Sequence, residues 1–111
     1  MQLNLLVLRC KNIKTSKAFY EKLGLTFVQE QHGKGPVHYS TLMEELVMEL
    51  YPLTKGSEID NIRLGFLMEI ENIFEYLERE TIVVCSQYQY EDKNVFVVED
   101  PDGRKIELKS N

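Results

Sequence analysis

Glu49, in Val47-Met48-Glu49-Leu50, and Glu107, in Lys105-Ile106-Glu107-Leu108, close two similar stretches of the chain 58 positions apart. The same step carries Leu5 onto Arg63. Two carboxylates brought together can hold a hard divalent cation such as Mg2+ or Mn2+, with waters and substrate oxygens filling the shell. Zinc would want histidine or cysteine in that shell, and neither stands at these four places. Arginine is the competing cation. A guanidinium fixed about 4 Å from a divalent ion costs roughly 8 kcal/mol at an effective dielectric near 20, so a metal would require Arg63 to swing away. Set between carboxylates, the same side chain offers five donors in a planar, always-charged fork. Arg63 would then act as a structural ion pair or greet an anionic group of a ligand.

Other residues with chemical potential are weaker candidates. His32 and His38 flank the Gly/Pro loop His32-Gly33-Lys34-Gly35-Pro36. They could meet across a hairpin with Glu30 as a third ligand, but histidines beside such a turn are expected at the exposed surface. Tyr88 and Tyr90 alternate with glutamines, so both rings share one strand face. There they could stack a flat ligand, although packing against a helix or a dimer partner is the expected use. Asp100 and Asp102 are explained by the turn Asp100-Pro101-Asp102-Gly103, where proline presets one residue and glycine accepts positive φ. Cys10 and Cys85 are widely spaced, consistent with free thiols in a reducing cytoplasm, and each is expected to be a small buried hydrophobe. No nucleophile–base–orienter set and no Gly-rich phosphate loop is present.

The elements that must position these side chains fall into two similar series. Leu3 to Arg9 reads as a strand, and Asn12, Thr15 and Ser16 offer helix caps. Ser16, Phe19, Tyr20 and Leu23 then form an i, i+3, i+4, i+7 stripe stopped by Gly24. Leu25 to Gln31, Val37 to Met43 and Glu45 to Tyr51 follow as strands. After a polar, turn-rich linker at about 54–60, the order restarts with a strand over Ile62 to Glu69. The stripe Ile70, Ile73, Phe74 and Leu77 repeats the first one 54 positions on. Strands over Ile82 to Tyr90, Asn94 to Glu99 and Arg104 to Lys109 complete the series. The chain is thus expected to be one domain of two βαβββ modules, at about 1–53 and 61–111.

Alternation along a strand then assigns faces. Met48 and Leu50 point to one side, as do Ile106 and Leu108, which leaves Glu49 and Glu107 on the other. If the sheet curls, its free face becomes a cleft lined by Leu5, Glu49, Tyr51, Arg63 and Glu107.

Composition limits the partners. The 111 residues suffice for one real core, and a net charge of −5 with scattered lysines argues against nucleic acid. No apolar run approaches the roughly 18 residues of a membrane span. The start Met1-Gln2-Leu3-Asn4 lacks signal-peptide features.

Three stretches resemble the vicinal oxygen chelate superfamily, which includes glyoxalase I, extradiol dioxygenases and bleomycin-resistance proteins. They are Leu8-Arg9 through Ser16 to Leu25, Val47 to Leu50, and Val98 to Leu108. The resemblance implies an α+β fold of paired βαβββ modules forming a curved mixed sheet around a pocket, in a homodimer. It also implies metal ligands from first and last strands. The last-strand glutamates match Glu49 and Glu107, while the first-strand positions, commonly histidine, match Leu5 and Arg63. The expectation is therefore a cytoplasmic small-molecule binder without cofactor, resembling the bleomycin-resistance branch. The alternative is a lyase or dioxygenase with Mn2+ or Mg2+ on Glu49 and Glu107.

Overall fold

The computed structural model describes residues 1–111, which form two compact units, Met1–Asp60 and Asn61–Asn111. The first contains β1 (Leu5–Cys10), α1 (Ile13–Lys22), β2 (Val28–Glu30), β3 (His38–Met43) and β4 (Leu46–Pro52). Its sheet has the order β1-β4-β3-β2, with β1 parallel to β4 and the other pairs antiparallel. The second contains β5 (Leu64–Met68), α2 (Ile73–Arg79), β6 (Ser86–Tyr90), β7 (Lys93–Glu99) and β8 (Lys105–Ser110). Its order, β5-β8-β7-β6, repeats the first with the same mixture of directions. Each unit is a βαβββ module, and the fold is α+β as expected. Neither helix is long and apolar enough to cross a membrane.

Register fixes the relation between the modules. Val7 lies beside Glu49 in the first, and Gly65 lies beside Glu107 in the second, so the outer strands repeat at 58 positions. Met48 and Leu50 are fully buried, as are Ile106 and Leu108, while both glutamates face the opposite side of their sheets. Strand alternation therefore set the faces correctly.

The helices show why the stripes were misaligned. In α1 the residues buried against the sheet are Ser16 and Tyr20, and in α2 they are Ile73 and Leu77. That is a step of 57, not 54, and Ile70 precedes the helix altogether. Asn12 caps α1 by accepting from the Lys14 and Thr15 amides at 3.0 and 3.1 Å, and Asn72 caps α2 by accepting from the Glu75 amide at 3.1 Å. Both helices end in the same double hydrogen bond. Gly24 N and Leu25 N donate to the Glu21 and Tyr20 carbonyls, and Thr81 N and Ile82 N to those of Glu78 and Leu77. The left-handed residue of this motif is Gly24 (φ +109°) in α1 but Thr81 (φ +59°) in α2. Without a glycine stop, the second helix gives no marker for the alignment.

Three strands fall short of the expected runs by three residues or more. The run from Leu25 reduces to Val28–Glu30, and the run from Ile82 reduces to Ser86–Tyr90 because Ile82 is tied into the end of α2. The run from Ile62 yields only Leu64–Met68, which leaves Arg63 just before β5. The 100–103 turn forms as expected, with Asp100 Oδ1 accepting from the Asp102 and Arg104 amides at 2.9 Å. Arg104 reaches back to Asp100 Oδ2 at 3.1 Å, and both side chains are wholly buried. Cys10 is buried as expected, but Cys85 is exposed, because it falls in the irregular segment before β6.

Candidate functional site

In the first module the side of the sheet away from the buried Met48 and Leu50 carries three rows of side chains across its strands. Leu5, Val47 and Leu42 form an apolar row, in which Leu5 is half exposed. Val7, Glu49, Ser40 and Val28 form the next. Arg9 beside Tyr51 and His38 beside Glu30 make up the third. Leu5 and Glu49 thus lie in adjacent rows, and Tyr51 lies one row further on.

The third row is the polar centre of the module. His38 is 1% exposed although its strand side is the open one. The Tyr51 ring stacks on it at 4.1 Å with an interplanar angle of 12°, and the His32 ring lies 5.1 Å away. Arg9 covers the Tyr51 ring at 5.0 Å. His38 Nδ1 lies 3.2 Å from the Pro36 carbonyl, and Nε2 lies 3.2 Å from the Tyr51 hydroxyl. The same Nε2 faces Glu30 Oε1 at 3.3 Å and Glu49 Oε2 at 3.7 Å. The expectation of two surface histidines thus holds for His32 and fails for His38. Stacking beneath Tyr51 and pairing with Glu30 remove it from solvent.

The second module uses the equivalent positions differently. Its rows are Gly65, Glu107, Val97 and Ser86, then Leu67, Lys109, Val95 and Tyr88. Where the first module has Arg9, Tyr51, His38 and Glu30, the second has Leu67, Lys109, Val95 and Tyr88. Arg63 donates through Nε to Glu107 Oε2, and the Tyr88 hydroxyl donates to Oε1. The tyrosine hydroxyl and the guanidinium together hold the Glu107 carboxyl below the usual carboxylate range. Conversely, the hydrogen bond to a carboxylate pushes the Tyr88 phenol up.

Beside this network lies a cavity of about 350 Å3 lined by Gly65, Leu67, Tyr88, Tyr90, Glu107 and Lys109, with Phe66 and Val95. Lys109 Nζ sits 5.3 Å over the Tyr90 ring. Tyr88 and Tyr90 therefore stand on the open side, at 42% and 54% exposure, and not against the helix, which was one of the two uses expected of them. Lys109 was missed, although it lies two residues beyond Glu107 on the same strand face, where alternation alone would have found it.

Of the four places at which a metal was considered, Leu5 has no donor atom, and Arg63 is a cation already bonded to Glu107. Neither of these two residues offers a ligand atom to a metal in this arrangement.

Comparison with known proteins defines the class. The chain matches the model of the Glyoxalase/Bleomycin resistance protein/Dioxygenase superfamily over residues 2–108 and belongs to that superfamily. Among solved structures, the VPC_CASS1 protein from the mobile metagenome of V. Pseudocholerae is 25% identical, with a TM-score of 0.74, covering 99% of this chain and 94% of that one. TnmS3, an antibiotic binding protein from Streptomyces sp. CB03234, has a TM-score of 0.77 at 16% identity, with 99% and 95% covered. Lactoylglutathione lyase from Agrobacterium tumefaciens has a TM-score of 0.72 at 15% identity, with 99% and 93% covered. The last two establish a shared fold only. No curated protein matches the chain at a significant level.

Proposed function

We propose that this protein binds a small organic molecule in the cavity of its second module, and that sequestration is its activity. The observation that carries this reading is the state of Glu107. Both its oxygens are taken by Arg63 and Tyr88, which leaves a neutralised cavity edge and not an open carboxylate. Around that edge stand the faces of two tyrosines and the apolar Leu67 and Val95, a lining suited to a flat aromatic ligand. Lys109 adds a charge for an anionic substituent. A lyase or dioxygenase holding Mn2+ or Mg2+ on Glu49 and Glu107 asks first that Arg63 release its partner. The fold is one in which an antibiotic binding protein occurs. The proposed setting is the cytoplasm, where Cys10 and Cys85 stay free thiols, and the proposed assembly is a homodimer.

The test uses the anionic aromatic dye 8-anilinonaphthalene-1-sulfonate, followed by fluorescence in the presence of a chelator. Saturable binding of one dye per chain is expected, weakened about tenfold by Tyr90→Ala, or about 1.4 kcal/mol. Lys109→Ala should weaken the sulfonate dye and spare an uncharged analogue. Binding that never saturates, or that ignores both substitutions, would rule this site out.

A further inference from the structure

We infer that the first module carries a site for a divalent transition ion of the zinc class, held by Glu30, His32 and His38. These are not the first- and last-strand positions considered above, and all three residues belong to the first module. One oxygen or nitrogen from each of the three side chains lies within 4.8 Å of the others. The best-formed pair, His38 Nε2 and Glu30 Oε1, is 3.3 Å apart. Two ligands at 2.0–2.1 Å from a tetrahedral ion would lie roughly 3.3–3.4 Å apart, so this edge already has the required length. His32 must close the remaining gap. It is exposed and adjoins Gly33, so its ring can turn inward without disturbing the sheet.

The orientation of His38 is the second observation. A carbonyl oxygen only accepts, so the 3.2 Å contact with Pro36 requires the proton on Nδ1. That places the Nε2 position toward the Glu30 and Glu49 carboxylates, at 3.3 and 3.7 Å. The Tyr51 hydroxyl can donate one hydrogen bond there. A cation at that point would be shared by Nε2 and the carboxylate oxygens around it. A ligating histidine characteristically donates its other ring N–H to a carbonyl, which fixes the tautomer and raises the basicity of the ligating nitrogen. His38 is held in that arrangement by Pro36 and by the stacked Tyr51.

Two histidines and one carboxylate form a donor set characteristic of zinc sites that keep an open position, and Glu49 lies on the same nitrogen as an additional negative charge. The second module has Val95 and Tyr88 in place of His38 and Glu30, so the repeat does not duplicate the site.

The experiment is calorimetric titration of the full, metal-stripped chain with Zn2+, repeated with Co2+ and followed by visible absorption. The expected result is one ion per chain at micromolar affinity or tighter, with the absorption of Co2+ in a low-coordinate nitrogen–oxygen site. Glu30→Gln and His32→Ala should each weaken binding at least tenfold. Both alter residues outside the buried core, so loss of binding can be separated from loss of fold by circular dichroism. Wild-type protein that takes up no Zn2+ would overturn the inference. Binding that both variants retain, or that Glu107→Gln removes while Glu30→Gln does not, would overturn it too.

Discussion

Glu107 shows how neighbours can engage both oxygens of a single carboxylate. Tyr88 and Arg63 favour its charged form, so its folded pKa lies below its unfolded one. It therefore contributes stability above the ordinary carboxylate range, and that contribution is lost as pH falls through the lowered folded value. The Tyr88 phenol has the opposite sense. Its raised folded pKa means its contribution is complete below the ordinary phenol range and fades as pH rises beyond it. Tyr88→Phe is expected to move the Glu107 carboxyl upward, read by carbon-detected NMR titration of labelled glutamate. An unmoved titration would mean that the hydroxyl does not engage the carboxylate in solution. At this scale the glutamates were legible, because strand period 2 assigns a side without any tertiary knowledge. His38 was legible only as a donor type. Its burial depends on Tyr51, thirteen residues away, and on a cross-strand partner in β2, and neither relation has a local signal.

Element order was readable, and its errors have local causes. Both helices close with the same hydrogen-bonded motif, but the second places a β-branched threonine in the left-handed position where the first places glycine. Left-handed backbone costs such a side chain about 1–2 kcal/mol. Thr81→Gly is therefore expected to raise stability on the order of 1 kcal/mol, measured by urea denaturation at constant m-value. The turn between β7 and β8 supplies a contrasting case. Arg104 and Asp100 are buried together, and Arg104→Ala leaves a carboxylate in the interior without that partner. The expected loss is about 3–5 kcal/mol, far beyond a surface ion pair such as Arg79–Glu75 at 3.3 Å, for which less than about 1 kcal/mol is expected. The sequence showed the aspartates as turn formers; the buried arginine that explains their full coordination came only with the structure.

For the molecule as a whole, the repeat is one of backbone and register more than of chemistry. The same open sheet positions carry Arg9, Tyr51, His38 and Glu30 in one module and Leu67, Lys109, Val95 and Tyr88 in the other. Duplication of a scaffold leaves each copy free to acquire its own donors, which is why superfamily membership defines the fold and leaves the activity to the side chains. The apolar row of Leu5, Val47 and Leu42, in which Leu5 and Leu42 are exposed, is consistent with the proposed homodimer. Sedimentation equilibrium should return twice the 13.0 kDa chain mass. A single-chain mass at micromolar concentration would count against that assembly.

Gly65 gives the cavity a dimension that evolution can adjust with one codon. It lines the cavity in the row of Glu107, and a β-carbon built there meets nothing within 4 Å. The first module has valine at the corresponding place, so the strand tolerates a larger residue. Each methyl added at Gly65 would raise the floor and exclude progressively thinner guests without touching a hydrogen bond. The breadth of molecules the proposed binding site would admit is thus set by a side chain the protein does not have.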